Sequence, residues 1–192
     1  MAPTRIFILG HSFIRRLHVF LRQNFNEVFA RNLHIEGDLS IKWHGIRGRT
    51  ISKVIRHDLG IVERFAPEIV VIQLANIDLS SLSAVETGLA LQDLSHLLHE
   101  SYRVQRVCVC QTIFRGNAPF FNHQVKLLTN YLKVVLEPIP CLLYWRHRGF
   151  WNCKSRSLTR DGVHLNHLGH YKFFRTLRGA VLQCLRSLQA SG

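Results

Sequence analysis

Two hydrophobic patterns alternate along the chain. Short runs with isoleucine, valine or leucine at nearly every position are typical of strands buried on both faces of a sheet. Such runs cover residues 5–10, part of 33–43, 69–74, 106–110 and 141–144. Between them, apolar residues recur every three or four positions among charged ones, which predicts amphipathic helices. The predicted helices lie around residues 13–21, 51–65, 85–102, 121–136 and 174–188.

Strands that alternate with helices need crossover connections, which favour a parallel sheet covered by helices on both faces. The pattern therefore predicts the α/β class, as a three-layer α/β/α arrangement with a flavodoxin-like five-stranded parallel sheet. The 192 residues are 47% hydrophobic, which is enough for one core and too few for two ordinary domains. One domain spanning residues 1–192 is expected.

The lengths of the apolar stretches and the number of cysteines indicate where the protein is expected in the cell. No uninterrupted apolar stretch approaches the roughly 18 residues of a membrane span, and MAPTRIFILGHS makes a poor signal peptide. The five cysteines are odd in number and form no C-x-x-C pair. Cys108 and Cys110 are expected on one face of a strand, as buried thiols. We expect an intracellular protein, cytoplasmic or nuclear, with no membrane span.

Charge is distributed unevenly. The formal net charge is +13, and residues 101–192 hold 14 Lys and Arg against 2 Asp and Glu. Residues 61–100 show the opposite balance, with 6 acidic residues and 1 basic residue. A basic region of this kind attracts phosphate backbones or anionic surfaces. A solvated face that serves only solubility is the alternative.

Two short segments near opposite ends of the chain carry the candidate chemistry. RIFILGHSFIRRL places Ser12 after the first strand and at the start of the first helix, where free N–H groups favour a developing anion. DGVHLN places Asp161 three residues before His164, so the carboxylate can orient the imidazole on one turn, ahead of a helix capped by Asn166. Together these are the parts of a nucleophilic hydrolase. The plainer alternatives are a helix-capping serine and an aspartate turn beside a surface histidine.

Four blocks in the chain form a larger pattern. They are Gly10-His11-Ser12, Gly48-Arg49-Thr50, Ala75-Asn76-Ile77-Asp78 and the pair Asp161 and His164. In this order and spacing they resemble the four blocks of the SGNH hydrolases, the GDSL-like esterase and lipase superfamily. The first block of that family reads G-D-S, and the second has a glycine ahead of a polar residue and a threonine. The third reads G-x-N-D and the fourth D-x-x-H. The resemblance covers nearly the whole chain and implies the SGNH hydrolase fold.

The resemblance also implies roles for individual residues. Ser12 takes the place of the nucleophile, His164 of the general base and Asp161 of its orienting acid. The oxyanion is expected at the backbone N–H groups of Ser12 and Gly48 and at the third-block asparagine side chain. Here the chain departs from the family, because Ile77 occupies the asparagine position and Asn76 stands one residue early. Ala75 replaces the block's glycine, which makes an unusual backbone conformation there less favourable.

A segment after the last predicted strand, residues 144–160, interleaves aromatic and basic side chains. Trp145 and Trp151 stand with Arg146 and Arg148, a mixture used to stack on bases and to neutralise phosphates. We expect a long loop beside the serine site that binds nucleic acid or shapes the substrate pocket. The alternative is that the aromatic side chains pack against the protein and hold the loop in place, while the arginines face water.

The function expected from these features is hydrolysis of a small carboxylic acyl ester through the Ser-His-Asp triad, with a weakened oxyanion hole and no cofactor. The alternative is a catalytically impaired module of the same fold that binds nucleic acid through its basic C-terminal region. The blocks and the basic C-terminal helix also resemble SGNH domains of animal retrotransposon-associated proteins. His164, His167 and His170 recur at three-residue spacing, but no ligand cluster completes the set, so no metal site is expected. Oligomeric state stays open.

Overall fold

A computed structural model describes residues 2–150 and 156–190 of the chain. Five strands form one parallel sheet in the order β2-β1-β3-β4-β5. The strands are β1 (Thr4–Gly10), β2 (Leu39–Gly45), β3 (Ile69–Gln73), β4 (Arg106–Cys110) and β5 (Leu142–Trp145). The predicted α/β class and five-stranded parallel sheet are confirmed. The strand predicted within residues 33–43 is β2, which lies toward the C-terminal end of that range.

Seven α-helices connect or follow the strands in the described part of the chain. They are α1 (Ser12–Asn24), α2 (Glu27–Asn32), α3 (Ile51–His57), α4 (Leu59–Phe65), α5 (Ala84–Glu100), α6 (Pro119–Leu136) and α7 (His167–Gln189). Residues 51–65 are helical as predicted, but they form two helices separated at Asp58 and not one. The carboxylate of Asp58 is buried and accepts a hydrogen bond from Arg49 Nη2 at 2.7 Å, a contact that the apolar periodicity does not reveal.

The helices form two layers, one on each face of the sheet. Successive side chains of a strand point to opposite faces, and in β1 Phe7 packs with the cluster formed by α3–α6, whereas Ile6 packs with that of α1, α2 and α7. Cys108 and Cys110 are both buried on the α7 side, as predicted from their spacing. The hydrophobic core therefore consists of two clusters separated by the sheet.

The strand order reverses direction at β1, since β2 lies on one side of it and β3 on the other. Sites in open α/β sheets form at such a reversal, beyond the carboxyl ends of the strands. Close packing there requires glycine, because a Cβ on Gly10 would lie 2.5 Å from Ile14 Cγ1 and 2.7 Å from the carbonyl oxygen of Gln73. The end of β1 is thus held directly against the start of α1 and the end of β3.

Across residues 2–150 and 156–190, each helix falls short of the length or the apolar character needed to cross a bilayer.

Candidate active site

Ser12 is the first residue of α1 and directly follows the end of β1. The N-cap of this helix is His11, whose Nδ1 accepts a hydrogen bond from the backbone N–H of Phe13 at 3.4 Å. The capping role considered for Ser12 is therefore taken by its neighbour. Within the described residues Ser12 Oγ has no hydrogen-bond partner, and it lies at a helix N-terminus, where the dipole favours an anion.

The imidazole of His11 is fixed in one neutral form by its surroundings. Because Nδ1 accepts from Phe13 N–H, the proton resides on Nε2, which donates to Asn76 Oδ1 at 3.0 Å. The ring is 2% exposed, and burial lowers the pKa of His11 to about 4, with smaller contributions from the charges of Arg115 and His164. His11 is therefore uncharged at neutral pH and acts as a cap and hydrogen-bond donor.

Asp161 and His164 lie on the turn that leads into α7. Asp161 Oδ2 accepts a hydrogen bond from His164 Nδ1 at 2.6 Å. Its Oδ1 accepts from Thr159 Oγ1 at 2.6 Å and from the backbone N–H groups of Val163 and His164. The hydrogen bonds from Thr159 and then His164 hold the pKa of Asp161 well below its usual range. The carboxylate is thus ionised and immobilised, and it fixes a proton on Nδ1 of His164.

The turn itself is anchored from two sides. Gly162 has a φ of +68°, which favours glycine, and its carbonyl accepts a hydrogen bond from Gly116 N–H at 2.6 Å in the loop after β4. At the other end Asn166 caps α7 by accepting from Gly169 N–H at 2.9 Å, as the sequence predicted. These contacts tie the Asp161–His164 pair to the carboxyl end of the sheet.

The parallel sheet places the turn of His164 on the same side of the molecule as Ser12, because Gly162 of that turn is hydrogen-bonded to the loop after β4 and Ser12 follows the end of β1. A direct hydrogen bond between Ser12 Oγ and His164 Nε2 is not among the contacts of the described residues. Catalytic hydrogen bonds in empty sites are often long and tighten only when substrate binds.

The third block forms the loop after β3. Ala75 adopts a φ of +77°, so the unusual backbone conformation typical of the family's glycine is present despite the side chain. The sequence argued against such a conformation at an alanine, and the chain adopts it nonetheless. Asn76, 5% exposed, faces His11 and donates from Nδ2 to the carbonyl of Ile113 at 3.2 Å. Ile77 is half-buried, and Asp78 Oδ1 accepts from Ile51 N–H at the start of α3.

The second block lies in the loop after β2. Ile46 N–H donates to the carbonyl of Gly10 at 3.1 Å, which attaches this loop to the end of β1. Gly48 is exposed, with a φ of +69°, and its carbonyl accepts a hydrogen bond from Lys53 Nζ at 3.3 Å. The role of the Gly48 N–H as an oxyanion donor stays a prediction.

Arg115 is a site residue that the sequence did not single out. Its guanidinium donates to the backbone carbonyl of Asn76 and lies 3.9 Å above the ring of Phe121. Half-buried between these groups, it adds a positive charge beside the third-block loop, and burial lowers the pKa of Arg115. The only signal in sequence is a cation shortly after a buried strand, a position in open sheets where polar side chains reach the site.

The aromatic and basic segment is only partly a loop. Trp145 is the last residue of β5, and its Nε1 donates to Thr176 Oγ1 of α7 at 3.0 Å, which corrects the expectation that it lies on a long loop. Arg146 is half-buried and Arg148 exposed. Trp151 lies outside the described residues. The segment therefore begins as part of the sheet and faces α7.

Two of the three histidines weighed for a metal site have other contacts. His167 Nε2 lies 3.3 Å from Asn24 Oδ1, and His170 Nδ1 lies 2.9 Å from the carbonyl of Asn166. The ring of His170 also stacks on Phe20. In residues 2–150 and 156–190, no group of three potential metal ligands is found.

Comparison with solved structures identifies the architecture. A carbohydrate esterase family 3 protein from Talaromyces cellulolyticus superposes with a TM-score of 0.71 at 14% identity, covering 97% of this chain and 99% of that one. A GDSL-like lipase from Bacteroides thetaiotaomicron gives 0.69 at 14% identity, over 94% and 88%. The chain has the SGNH hydrolase fold.

A third protein with this fold is a psychrotrophic esterase from a Pseudoalteromonas species, inhibited by monoethylphosphonate in its structure. It superposes with a TM-score of 0.68 at 15% identity, over 95% of this chain and 99% of that one. No protein-family model and no curated protein matches the sequence. The likeness is therefore one of fold.

Proposed function

We propose that the chain hydrolyses small carboxylic acyl esters with Ser12 as nucleophile, His164 as general base and Asp161 as the acid that orients it. The observation that carries this proposal is the 2.6 Å hydrogen bond between His164 Nδ1 and Asp161 Oδ2, on a turn that Gly162 anchors to Gly116 in the loop after β4. Esters are the substrate class because the superposed proteins are described as esterases and a lipase.

The reaction follows from the protonation states. Ser12 Oγ attacks the ester carbonyl while His164 Nε2 takes its proton, and ionised Asp161 stabilises the imidazolium that forms. The tetrahedral intermediate collapses to an acyl-enzyme on Ser12, and His164 returns the proton to the leaving alcohol. Water, deprotonated by His164, then releases the carboxylic acid and restores the serine.

The developing oxyanion is the weaker part of the site. The N–H of Ser12 at the start of α1 and that of Gly48 are the proposed backbone donors. Asn76 already accepts from His11 and donates to the carbonyl of Ile113, which leaves at most one N–H of its side chain for the oxyanion. Since one such donor is worth about 10²–10³ in turnover, we expect slow hydrolysis.

Ester hydrolysis is tested with p-nitrophenyl acetate and the purified chain. Ser12→Ala is expected to remove enzymatic turnover, whereas Ser52→Ala, an exposed serine on α3, is expected to leave it unchanged. A fluorophosphonate probe is expected to label Ser12, identified by mass spectrometry, and not the Ser12→Ala variant. Turnover that persists at the original rate in Ser12→Ala would overturn the proposal. A folded chain with no turnover and no labelling would favour the catalytically impaired alternative.

A further inference from the structure

A basic groove runs between the edge strand β5 and helix α7, apart from the Ser12 site. It has a volume of about 490 Å³ and is lined by Trp145, Arg148, Lys172, Arg175, Leu182 and Arg186, among others. Leu182 and the indole of Trp145 provide apolar surface, and the four cations lie around it. The groove thus combines positive charge with an aromatic ring in one concavity.

The cations of the groove lack protein counterions. In the described part of the chain, none of the four forms an ion pair with a carboxylate. Residues 138–192 contain a single acidic residue, Asp161, which is already bound to His164. By contrast, Arg178 on the same helix donates to the carbonyls of Leu33 and His34. The groove cations are therefore available to an anionic ligand, whereas Arg178 has a structural role.

The spacing of the cations suits an extended polyanion. Lys172 and Arg186 are fourteen residues apart on α7, which places them about 21 Å apart along the helix axis. At about 3.4 Å per stacked nucleotide, this length matches roughly six nucleotides of one strand. A single small anion would contact one end only, so the arrangement favours a ligand with several phosphates.

Trp145 is half-buried, lines the groove and is fixed in place by α7. Its Nε1 is bound to Thr176, and a Cβ on Gly179 would lie 2.8 Å from its Cζ2, so the absence of a side chain at Gly179 lets the indole lie against α7. Proteins that bind single-stranded nucleic acid usually combine an aromatic ring with cations that neutralise the phosphate backbone, because the unpaired bases are free to stack on the ring. A bilayer surface is flat and does not follow a concave groove.

We propose that the groove between β5 and α7 binds single-stranded nucleic acid, with Lys172, Arg175 and Arg186 contacting phosphates and Trp145 stacking on a base. This site does not depend on ester hydrolysis, because it lies outside the Ser12, His164 and Asp161 machinery. Ser12→Ala is therefore expected to bind nucleic acid as the unchanged chain does.

The experiment measures binding of a fluorescein-labelled twelve-nucleotide oligothymidylate by fluorescence anisotropy at several salt concentrations. The groove variant combines Lys172→Glu, Arg175→Glu and Arg186→Glu. The matched control combines Arg56→Glu, Arg64→Glu and Lys126→Glu, exposed cations on α3, α4 and α6 in the opposite layer. Both variants change net charge equally, and circular dichroism checks that both are folded.

The groove variant is expected to lose at least about tenfold in affinity at low salt, and its slope of log K against log salt to fall by about 2. The control is expected to stay within about threefold. Equal losses in both variants would overturn the proposal, since binding would then follow net charge alone. Binding to phosphatidylserine vesicles that needs the groove, without binding of the oligonucleotide, would also overturn it.

Trp145 provides a second test that does not change charge. Trp145→Leu is expected to weaken oligonucleotide binding by about tenfold, whereas Trp145→Phe, which keeps an aromatic face, is expected to stay within about threefold. Both variants lose the hydrogen bond to Thr176, so a structural effect alone would weaken them equally. That outcome would overturn the stacking role.

Discussion

His164 and His147 show how one side chain is given opposite properties by its surroundings. His164 is 30% exposed and donates from Nδ1 to the carboxylate of Asp161. His147 is fully buried and lies between Gln73 Oε1, 2.6 Å from Nε2, and Thr176 Oγ1, 3.2 Å from Nδ1. A carboxylate partner stabilises an imidazolium during proton transfer, whereas neutral partners and burial keep the ring uncharged.

The hydrogen-bond chain around His147 fixes which ring nitrogen carries the proton, and burial keeps the ring neutral. Gln73 Oε1 is an acceptor, so His147 Nε2 carries the proton, and Nδ1 accepts from the hydroxyl of Thr176. That hydroxyl oxygen in turn accepts from Trp145 Nε1. Burial lowers the pKa of His147 to about 3. His11 is a buried, neutral ring like His147, although it is adjacent to Ser12, the proposed nucleophile. Proximity to an active site therefore does not make a histidine a base.

The largest expected effect comes from giving His164 an amide partner like that of His147. Asp161→Asn removes the charge that stabilises the imidazolium and no longer fixes the proton on Nδ1. We expect kcat for p-nitrophenyl acetate to fall by about 10⁴. Asp93→Asn, an exposed change on α5, is the control and is expected to have no effect. A loss below about threefold for Asp161→Asn would show that Asp161 does not orient a catalytic base.

Acid is expected to destabilise the fold through the two buried histidines. Their pKa values lie near 4 for His11 and near 3 for His147, below the unfolded value of 6.5. The unfolded chain therefore binds more protons below pH 6.5, and stability present above that pH is lost as pH falls toward 3. Each histidine contributes a slope of about 1.4 kcal/mol per pH unit in this window.

Urea unfolding at pH 7, 6, 5 and 4 measures that loss. His147→Gln is expected to lower the free energy of unfolding at pH 7, because the ring packs on Phe150 and Phe173, but to flatten its pH dependence. His123→Gln, at an exposed position on α6, is expected to keep the full dependence. An unchanged slope in His147→Gln would contradict the assignment of His147 as a buried neutral ring.

A smaller effect is expected from adding a donor next to the buried pair of His11 and Asn76. Ile77→Asn supplies a side-chain amide at the family's third-block position. We expect kcat for p-nitrophenyl acetate to rise by about tenfold, since a single oxyanion donor is worth up to about 10²–10³ when well placed. The double variant Ser12→Ala with Ile77→Asn is the control and is expected to be inactive. A rise that survives without Ser12 would show that it does not come from this site.

The smallest effect concerns the backbone that positions Asn76. Ala75→Gly relieves a positive φ that costs about 1–2 kcal/mol for a residue with a side chain, while glycine adds unfolded-state entropy. We expect a net gain of about 0.5 kcal/mol in the free energy of unfolding, measured in urea. Ala90→Gly, inside α5, is expected to destabilise by about 1 kcal/mol. Equal losses in both variants would contradict a strained loop at Ala75.

Local features of this protein were set by the sequence itself. The apolar runs predicted all five strands, and the D-x-x-H spacing predicted the Asp161–His164 pair, because a turn of four residues brings these side chains together without help from the rest of the chain. The cap at Asn166 is local for the same reason. Ser12 after β1 followed from the alternation of strand and helix.

Only the tertiary structure decided the contacts between distant segments. Asn76 meets His11 across 65 positions, and His147 meets Gln73 across 74. Ala75 adopts a positive φ that alanine locally disfavours, and the helix is interrupted at Asp58, whose buried carboxylate is bound by Arg49. The basic groove likewise exists because α7 packs beside the edge strand β5. The periodicity of apolar side chains indicates which face of a helix or strand is buried. Which other segment contacts that face depends on how the helices and strands pack together.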